Sequence, residues 1–500
     1  MTRRSALVIA GLVAALCSVL LAGTGAAAAG AAGTRALATR VAAAPGGPRW
    51  RTAEPIPGLA ALNLGGSAGF NSISCATAGN CSAGGFYAAK NTHTQAFVVN
   101  ETNGVWGTAE EVPGTAALNA TRAATASVSC ATAGNCSAGG FYTDASGHQQ
   151  AFVVAETNGT WGTAVEVPGS GALNAGGLAA IKSVSCATAG NCAAGGFYTD
   201  ASGHEQAFVV AETNGTWGTA VEVPGSGALN AGGFAAIKSV SCGAPGDCGA
   251  GGYYASDNIA RIPLTQPFVV SEANGRWGTA EEVPGAKSLN AGGSAAVESV
   301  SCTAAGTCGA GGEYTSGAPA TQAFVVAEAG GRWGTATEAP GSGALNAGGY
   351  AAINSVSCAS AGSCSAGGFY QDASFHTQAL AASETSGTWG SAEEVPGTAA
   401  LNAGTTGGAT TNSVSCASAG NCSAGGFYTD ASGSGQAFVV IEVNGTWHAA
   451  NEVFGSQALN TGGAASVGAV SCAAAGRCSA GGSYTVRHRH FVQLFVVDEF

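Results

Sequence analysis

Charge is scarce in this chain. Asp, Glu, Lys and Arg together make up 9% of it, where an ordinary soluble domain carries about 25%. The charge present sums to −12. That sign excludes nucleic acid as an expected partner, because phosphates demand a basic face. Beyond the N-terminal segment no stretch keeps a 3.6-residue apolar period, so long helices are excluded. The common signatures of catalysis are missing too. There is no G-x-S-x-G elbow, no H-E-x-x-H and no phosphate-binding glycine loop. No unique acidic pair stands out for glycosidic chemistry. Disorder is excluded despite 81 glycines, since Val, Phe, Tyr and Trp recur at fixed places and a disordered chain is poor in them.

What the chain does have is a repeated cassette. Residues 126–161 show it cleanly: a C-x5-C pair (Cys130, Cys136), a Gly-Gly-Phe-Tyr run, Gln150, an apolar A-F-V-V run and an N-G-T-W turn. It occurs eight times, with first cysteines 55, 56, 56, 60, 56, 58 and 56 residues apart. Periods of this length build solenoids, propellers or arrays. Residues 143–177 and 199–233 differ only at Gln149 versus Glu205, which suggests recent duplication.

Each copy reads as four short strands: S-V-S-C, then S-A-G-G-F-Y, then Q-A-F-V-V-A-E, then T-W-G-T-A-V-E-V closed by Pro-Gly. Asn-Gly between the third and fourth is a hairpin signal, because the tight turn needs positive φ. A-F-V-V is apolar on both faces, so that strand is buried on both sides. Four-stranded sheets packed radially achieve this, and the ring leaves only short, protected edges. The repeated region opens on a lone fourth strand near Trp50 and ends on a third strand near Val496. An open solenoid would end in polar caps, and none is present. The fold class expected is all-β: one eight-bladed β-propeller over residues 48–500, closed three-plus-one by residues 48–56.

Residues 1–29 read as a secretory signal, with Arg3 and Arg4 before an apolar core and a small-residue cleavage site. Residues 30–47 read as a flexible leader. Once the signal is cleaved no membrane span is expected, and the protein is expected to be a secreted, extracellular monomer. Export implies disulfides. The expected pairs are Cys75/Cys81, Cys130/Cys136, Cys186/Cys192, Cys242/Cys248, Cys302/Cys308, Cys358/Cys364, Cys416/Cys422 and Cys472/Cys478. Bridges that close such small loops are expected to staple hairpins and to tie no distant parts together. The spacing is wrong for zinc and no histidine tracks the pairs, so neither metal nor other cofactor is expected, and no catalytic residue is assigned.

The hairpin topology sorts the loops onto two faces. Copies diverge mainly on the face carrying the strand two–three and strand four–one loops. Loops on a rigid scaffold carry binding, so the candidate binding residues lie there: Asp144, His148, Asp200, His204, Asp257, Arg261, Arg487, His488, Arg489 and His490. The run at residues 487–490 is the one concentrated basic feature, suited to an anion or acidic glycan once its histidines protonate. Gln, Asn, Glu and Trp repeated in every copy are read as structural, because an enzyme has one asymmetric site.

The hairpin Ala155-Glu156-Thr157-Asn158-Gly159-Thr160-Trp161 is similar to the Asp-box turn, S-x-D-x-G-x-T-W, of sialidase-type propellers, with the Asp replaced and one residue fewer. More closely, S-V-S-C-x5-C-x-A-G-G-x-Y followed by N-G-T-W resembles a family of secreted bacterial Ala/Gly-rich repeat proteins without established activity, over residues 50–500. The resemblances imply a secreted propeller. The function expected is a non-enzymatic binding or scaffold module for glycans or a cell-envelope polymer. The alternative is a glycan-active hydrolase or lyase. A unique, partly buried carboxylate pair in the central funnel would favour the enzyme, and eight equivalent shallow pockets a lectin.

Overall fold

The computed structural model describes residues 49–500 except Thr92 and residues 260–261, 318–319, 405–406 and 488–490; at 258–259 and 262–263 it describes backbone alone. The expected signal and leader, and the candidates Arg261, His488, Arg489 and His490, lie outside the described residues.

Eight antiparallel sheets form the blades. In the third blade the strands are Ala179–Thr188, Asn191–Thr199 and Glu205–Thr213, with an outer edge made of Thr216–Trp217 and Val221–Glu222. First strands of neighbouring blades pack on one another around the ring and so line its axis. Closure is three-plus-one: Glu54 and Pro55 pair with Val496 and Phe495 on the last blade, and Trp50 with Glu499. A belt of serines ties the inner strands together. Cys130 N–H donates to Ser74 Oγ and Cys186 N–H to Ser129 Oγ, each at 2.9 Å. The same bond joins Cys75 to Ser471, so the belt passes from the last blade back to the first.

The sequence explains the packing. Ala151, Phe152, Val153 and Val154 are all buried, because each blade is sandwiched between two others. The second glycine of each Gly-Gly pair admits no side chain: a Cβ on Gly196 would stand 1.9 Å from Ala180 O. All eight expected disulfides are formed. Their cysteines face each other directly in the inner hairpin, as Cys186 faces Cys192.

Four details differ from the sequence reading. The first corrects the role of the bridges, which do more than staple a hairpin. The second cysteine of each pair is buried against the preceding blade. In five blades its sulfur meets a serine hydroxyl there, as Cys192 Sγ meets Ser137 Oγ at 3.5 Å. Cys248, Cys308 and Cys364 depart from that pattern: among the described residues no hydrogen bond reaches these buried side chains. The reason is the facing residue. Ala193, Gly249 and Gly309 stand where the other blades have serine, and they offer no hydroxyl. Cys248 shares an apolar cluster with Ala193. A Cβ on Gly249 would stand 2.9 Å from Cys308 Sγ, and one on Gly309 3.1 Å from Cys364 Sγ. These three sulfurs therefore act as apolar wedges between blades and present nothing to a ligand.

The other three concern backbone. The fourth strand is broken, because Trp161 faces Glu156 while Val165 faces Val153, which leaves one residue bulged; Gly162 N–H donates to Ala155 O there at 2.8 Å. The strand four–one loop holds a one-turn helix, such as Ser170–Leu173, started after Gly169 at φ 81°, a conformation glycine adopts without steric cost. The insertion in the fourth copy, expected within the strand two–three loop, lengthens the strands Asp247–Ile259 and Ile262–Ala273 instead.

Candidate functional site at the channel mouth

Most polar residues that repeat are occupied by structure. Asn174 Nδ2 donates to Gln150 Oε1 and to Gln149 O, both at 2.9 Å. The buried Glu212 and Glu442 accept from Ser137 (2.8 Å) and Ser365 (2.7 Å) of the preceding blade. Trp161 is buried, with its indole N–H on Asn100 Oδ1 at 3.0 Å. The three-residue group Cys130, Cys136 and Glu156 lies close together, but its sulfurs are disulfide-bonded and offer no thiolate to a metal.

The candidates on the loop face are spread over four blades. Asp144 closes its own loop, accepting from the N–H groups of Ser146 and His148 and from Gln150 Nε2. These bonds hold its carboxyl below the ordinary aspartate range, with the Gln150 bond contributing most. Asp200 does the same on blade 3. The His148 and His204 rings lie over Gly177 and Gly233 of the strand four–one loops, where a Cβ would stand 2.7 and 2.8 Å from them. Asp257 is exposed on the lengthened hairpin of blade 4, and Arg487 on blade 8.

The ring's departures from repetition meet somewhere else. Each inner strand has a bulge that presents one residue to the channel: Asn71, Ala126, Lys182, Lys238, Glu298, Asn354, Asn412 and Gly468. Where it is Asn, the side chain bonds the next blade's backbone: Asn71 to Thr125 O (2.7 Å), Asn354 to Thr411 O (2.9 Å) and Asn412 to Val467 O (2.8 Å). Beside this column runs a collar from the second strands, at Phe86, Phe141, Phe197, Tyr253, Glu313, Phe369, Phe427 and Ser483. Phe197 packs with Ala180 of its own inner strand and Ala236 of the next. The collar therefore sits at the end of the channel that opens on the loop face.

On blades 3 to 5 both columns carry unique chemistry. Lys238 forms an ion pair with Glu298 of the next blade and lies over the Tyr253 ring at 5.8 Å. Tyr253 Oη donates to Glu205 Oε1 of blade 3 at 2.9 Å. Lys182 stands over the Phe197 ring at 5.2 Å, within the range for cation–π attraction. Glu313 takes the place of a phenylalanine. Lys182 is open to channel water, yet protein surrounds it closely enough to lower its ammonium pKa, and Glu205 opposes that shift. Burial raises the carboxyls of Glu205 and Glu313; the neighbouring Glu298 adds to the second. Shifted groups that share a cleft point to a functional site. This arrangement offers one cation, one carboxyl without a hydrogen-bond partner among the described residues, and the half-buried ring of Tyr253, with Phe197 buried beneath Lys182.

The sequence carried the signal for this cluster. G-G-E-Y at residues 311–314 breaks the G-G-F-Y pattern, and Glu205 is the lone difference between the otherwise identical stretches 143–177 and 199–233. Reading each copy for what repeats passes over both.

No family model matches the chain, and no curated protein matches it. Solved structures are similar to it in fold. The β-propeller domain of the trilobed protease from Pyrococcus furiosus is 7% identical over 77% of this chain and 98% of that one, with a TM-score of 0.40. A polysaccharide lyase, an ulvan lyase, is 8% identical over 90% of this chain and 94% of its own, with a TM-score of 0.38. A sialidase from Trypanosoma rangeli is 10% identical over 86% of this chain and 55% of its own, with a TM-score of 0.32.

Proposed function

We propose that this protein is a secreted, monomeric binding propeller that recognises a saccharide of an extracellular or envelope polymer at its channel mouth, with the surrounding loops as rim. One observation carries the reading. Symmetry is broken at Lys182, Glu205, Lys238, Tyr253, Glu298 and Glu313, on consecutive blades facing one cleft. Aromatic faces beside fixed polar groups suit sugar rings, whose two sides differ in polarity. Eight disulfides fit an oxidising compartment. The test is a glycan array probed with wild type, with Lys238→Met/Tyr253→Phe, and with residues 487–490 changed to Ala. Loss in the channel variant alone is the expected result. Loss in the loop variant alone moves the site to blade 8, and no binding to any glycan overturns the reading.

A second reading, a glycan hydrolase or lyase, is favoured by Glu298 and Glu313, two carboxyls on one blade at the channel. Glycosidic chemistry uses such pairs, although Glu298 is already held by Lys238. Release of reducing ends or unsaturated products by wild type, abolished in Glu313→Gln, would establish this reading.

A further inference from the structure

Most polar groups of the channel-mouth cluster satisfy one another. Lys238 is neutralised by Glu298, and Glu205 accepts from Tyr253. Two are left. Among the described residues, Lys182 has no ion pair or hydrogen bond; it lies over the Phe197 ring, with Glu205 and Lys238 near enough to act on its charge. Glu313 has neither ion pair nor hydrogen bond. They stand on blades 3 and 5, with the Tyr253 blade between them.

An unpaired ammonium in a half-enclosed cleft is completed by an anion, and a carboxylate forms a short, charge-assisted bond with it. A carboxyl without a partner, replacing an aromatic residue, is completed by hydroxyl groups. One ligand that supplies both beside an aromatic ring is an acidic sugar. We propose, resting on the saccharide-binding reading above, that the channel mouth takes a uronic acid residue, its carboxylate on Lys182 and a hydroxyl on Glu313. The held pair Lys238–Glu298 then serves as the floor, and Glu205, which already accepts from Tyr253, attracts Lys182 without forming an ion pair with it.

The protein's own charge sharpens the test. At net −12 the molecule repels polyanions as a whole, so retention of one reports a local site. Calorimetry with oligogalacturonate, its carboxyl-reduced neutral counterpart and a sulfated galactan oligosaccharide provides three arms. The expected result is binding of oligogalacturonate alone. It should weaken about tenfold or more in Lys182→Met, partly recover in Lys182→Arg, and weaken several-fold in Glu313→Gln. Thermal melts of Lys182→Met should stay close to wild type, because among the described residues its side chain makes no hydrogen bond or ion pair. Equal binding of the neutral sugar, undiminished in Lys182→Met, overturns the uronate assignment and leaves the saccharide reading standing. Equal binding of the sulfated sugar overturns carboxylate selectivity. Binding of none of the three, together with a blank glycan array, overturns both.

Discussion

Blades 2 and 3 are near-copies whose stretches 143–177 and 199–233 differ at one position, at the head of the third strand, and that position does opposite work in each. On blade 2, Gln149 Nε2 donates to Ala179 O of the next inner strand at 3.1 Å. On blade 3, Glu205 has no proton to give when ionised, and it accepts from Tyr253 instead. The partner had to change as well, because the residue that faces Gln149 in this way is Phe197, which has no hydroxyl. The two exchanges together turn a strut between blades into part of a charged cluster. The comparison teaches that in a repeat ring function is written in paired departures across a blade boundary.

The largest expected effect tests what the two blades share. Gly140→Ala and Gly196→Ala each press a Cβ onto a backbone carbonyl 1.9 Å away, and backbone yields little. Overpacking of this kind costs about 1–3 kcal/mol or more. Both variants should lose stability equally in denaturant melts; a tolerated substitution in either blade breaks the equivalence.

The next concerns what they do not share. Gln149→Glu removes a bond and places a carboxylate facing Phe197, so it should cost about 1–3 kcal/mol at neutral pH. Glu205→Gln should change stability by no more than about 0.5 kcal/mol, since an amide oxygen can still accept from Tyr253. Equal costs for the two exchanges would remove the asymmetry argued above.

Tyr253→Phe strips the donor from Glu205. Its carboxyl is already raised by burial, so losing this bond to its charged form raises it further. The variant's deficit should be large at pH 7 and shrink towards pH 4, as the acid takes its proton. A deficit independent of pH would show that the hydroxyl matters for packing only.

A broader, shallower effect comes from the repeated glutamates near the ends of the third strands. Burial raises Glu101, Glu272 and Glu499 to about 7; near Glu101 the cause includes Asp498, across a closure cavity of about 190 Å³. A carboxyl raised in the folded state binds more protons there than when unfolded. Its stabilisation is therefore complete below the ordinary pKa near 4.5 and fades as pH rises through about 7. Melting temperature should fall from pH 5 to pH 8, and Glu499→Gln should flatten the slope. The loop aspartates, lowered in the fold, act the other way but in a window below about pH 4.

The ring was legible because its signals are local or periodic. A-F-V-V states burial on both faces, N-G-T-W states a hairpin, and the unpaired ends near Trp50 and Val496 state closure. The break in strand four was not legible, since T-W-G-T-A-V-E-V alternates smoothly and only its register against the third strand exposes the extra residue. The one-turn helices were hidden for a related reason: P-G-S-G-A-L is too short for a period. Spacing announced each disulfide, but not that the sulfurs of Cys248, Cys308 and Cys364 pack on the blade before, since their neighbours Ala193, Gly249 and Gly309 come from another repeat. The channel cluster needed a third dimension. Lys238 and Glu298 are 60 residues apart, and nothing in S-V-S-C says that the residue at its bulge faces the axis. The loop candidates were readable as polar, exposed positions, but the bonds from Asp144 back to its own loop follow from turn geometry.

The closing strand sets an order of assembly. Glu54 and Pro55 are made before the first blade, and their partners Val496 and Phe495 only after the seventh. Seven blades can complete themselves as they emerge, each from contiguous chain, because domains gain structure as synthesis proceeds. The eighth cannot: its outer edge must wait, unpaired, while the rest of the polypeptide is delivered. Removing the strand Phe491–Asp498 would therefore strand the first one as well, and a chain halted inside the eighth blade would leave an incomplete circle with exposed sheet edges, a ready target for quality control.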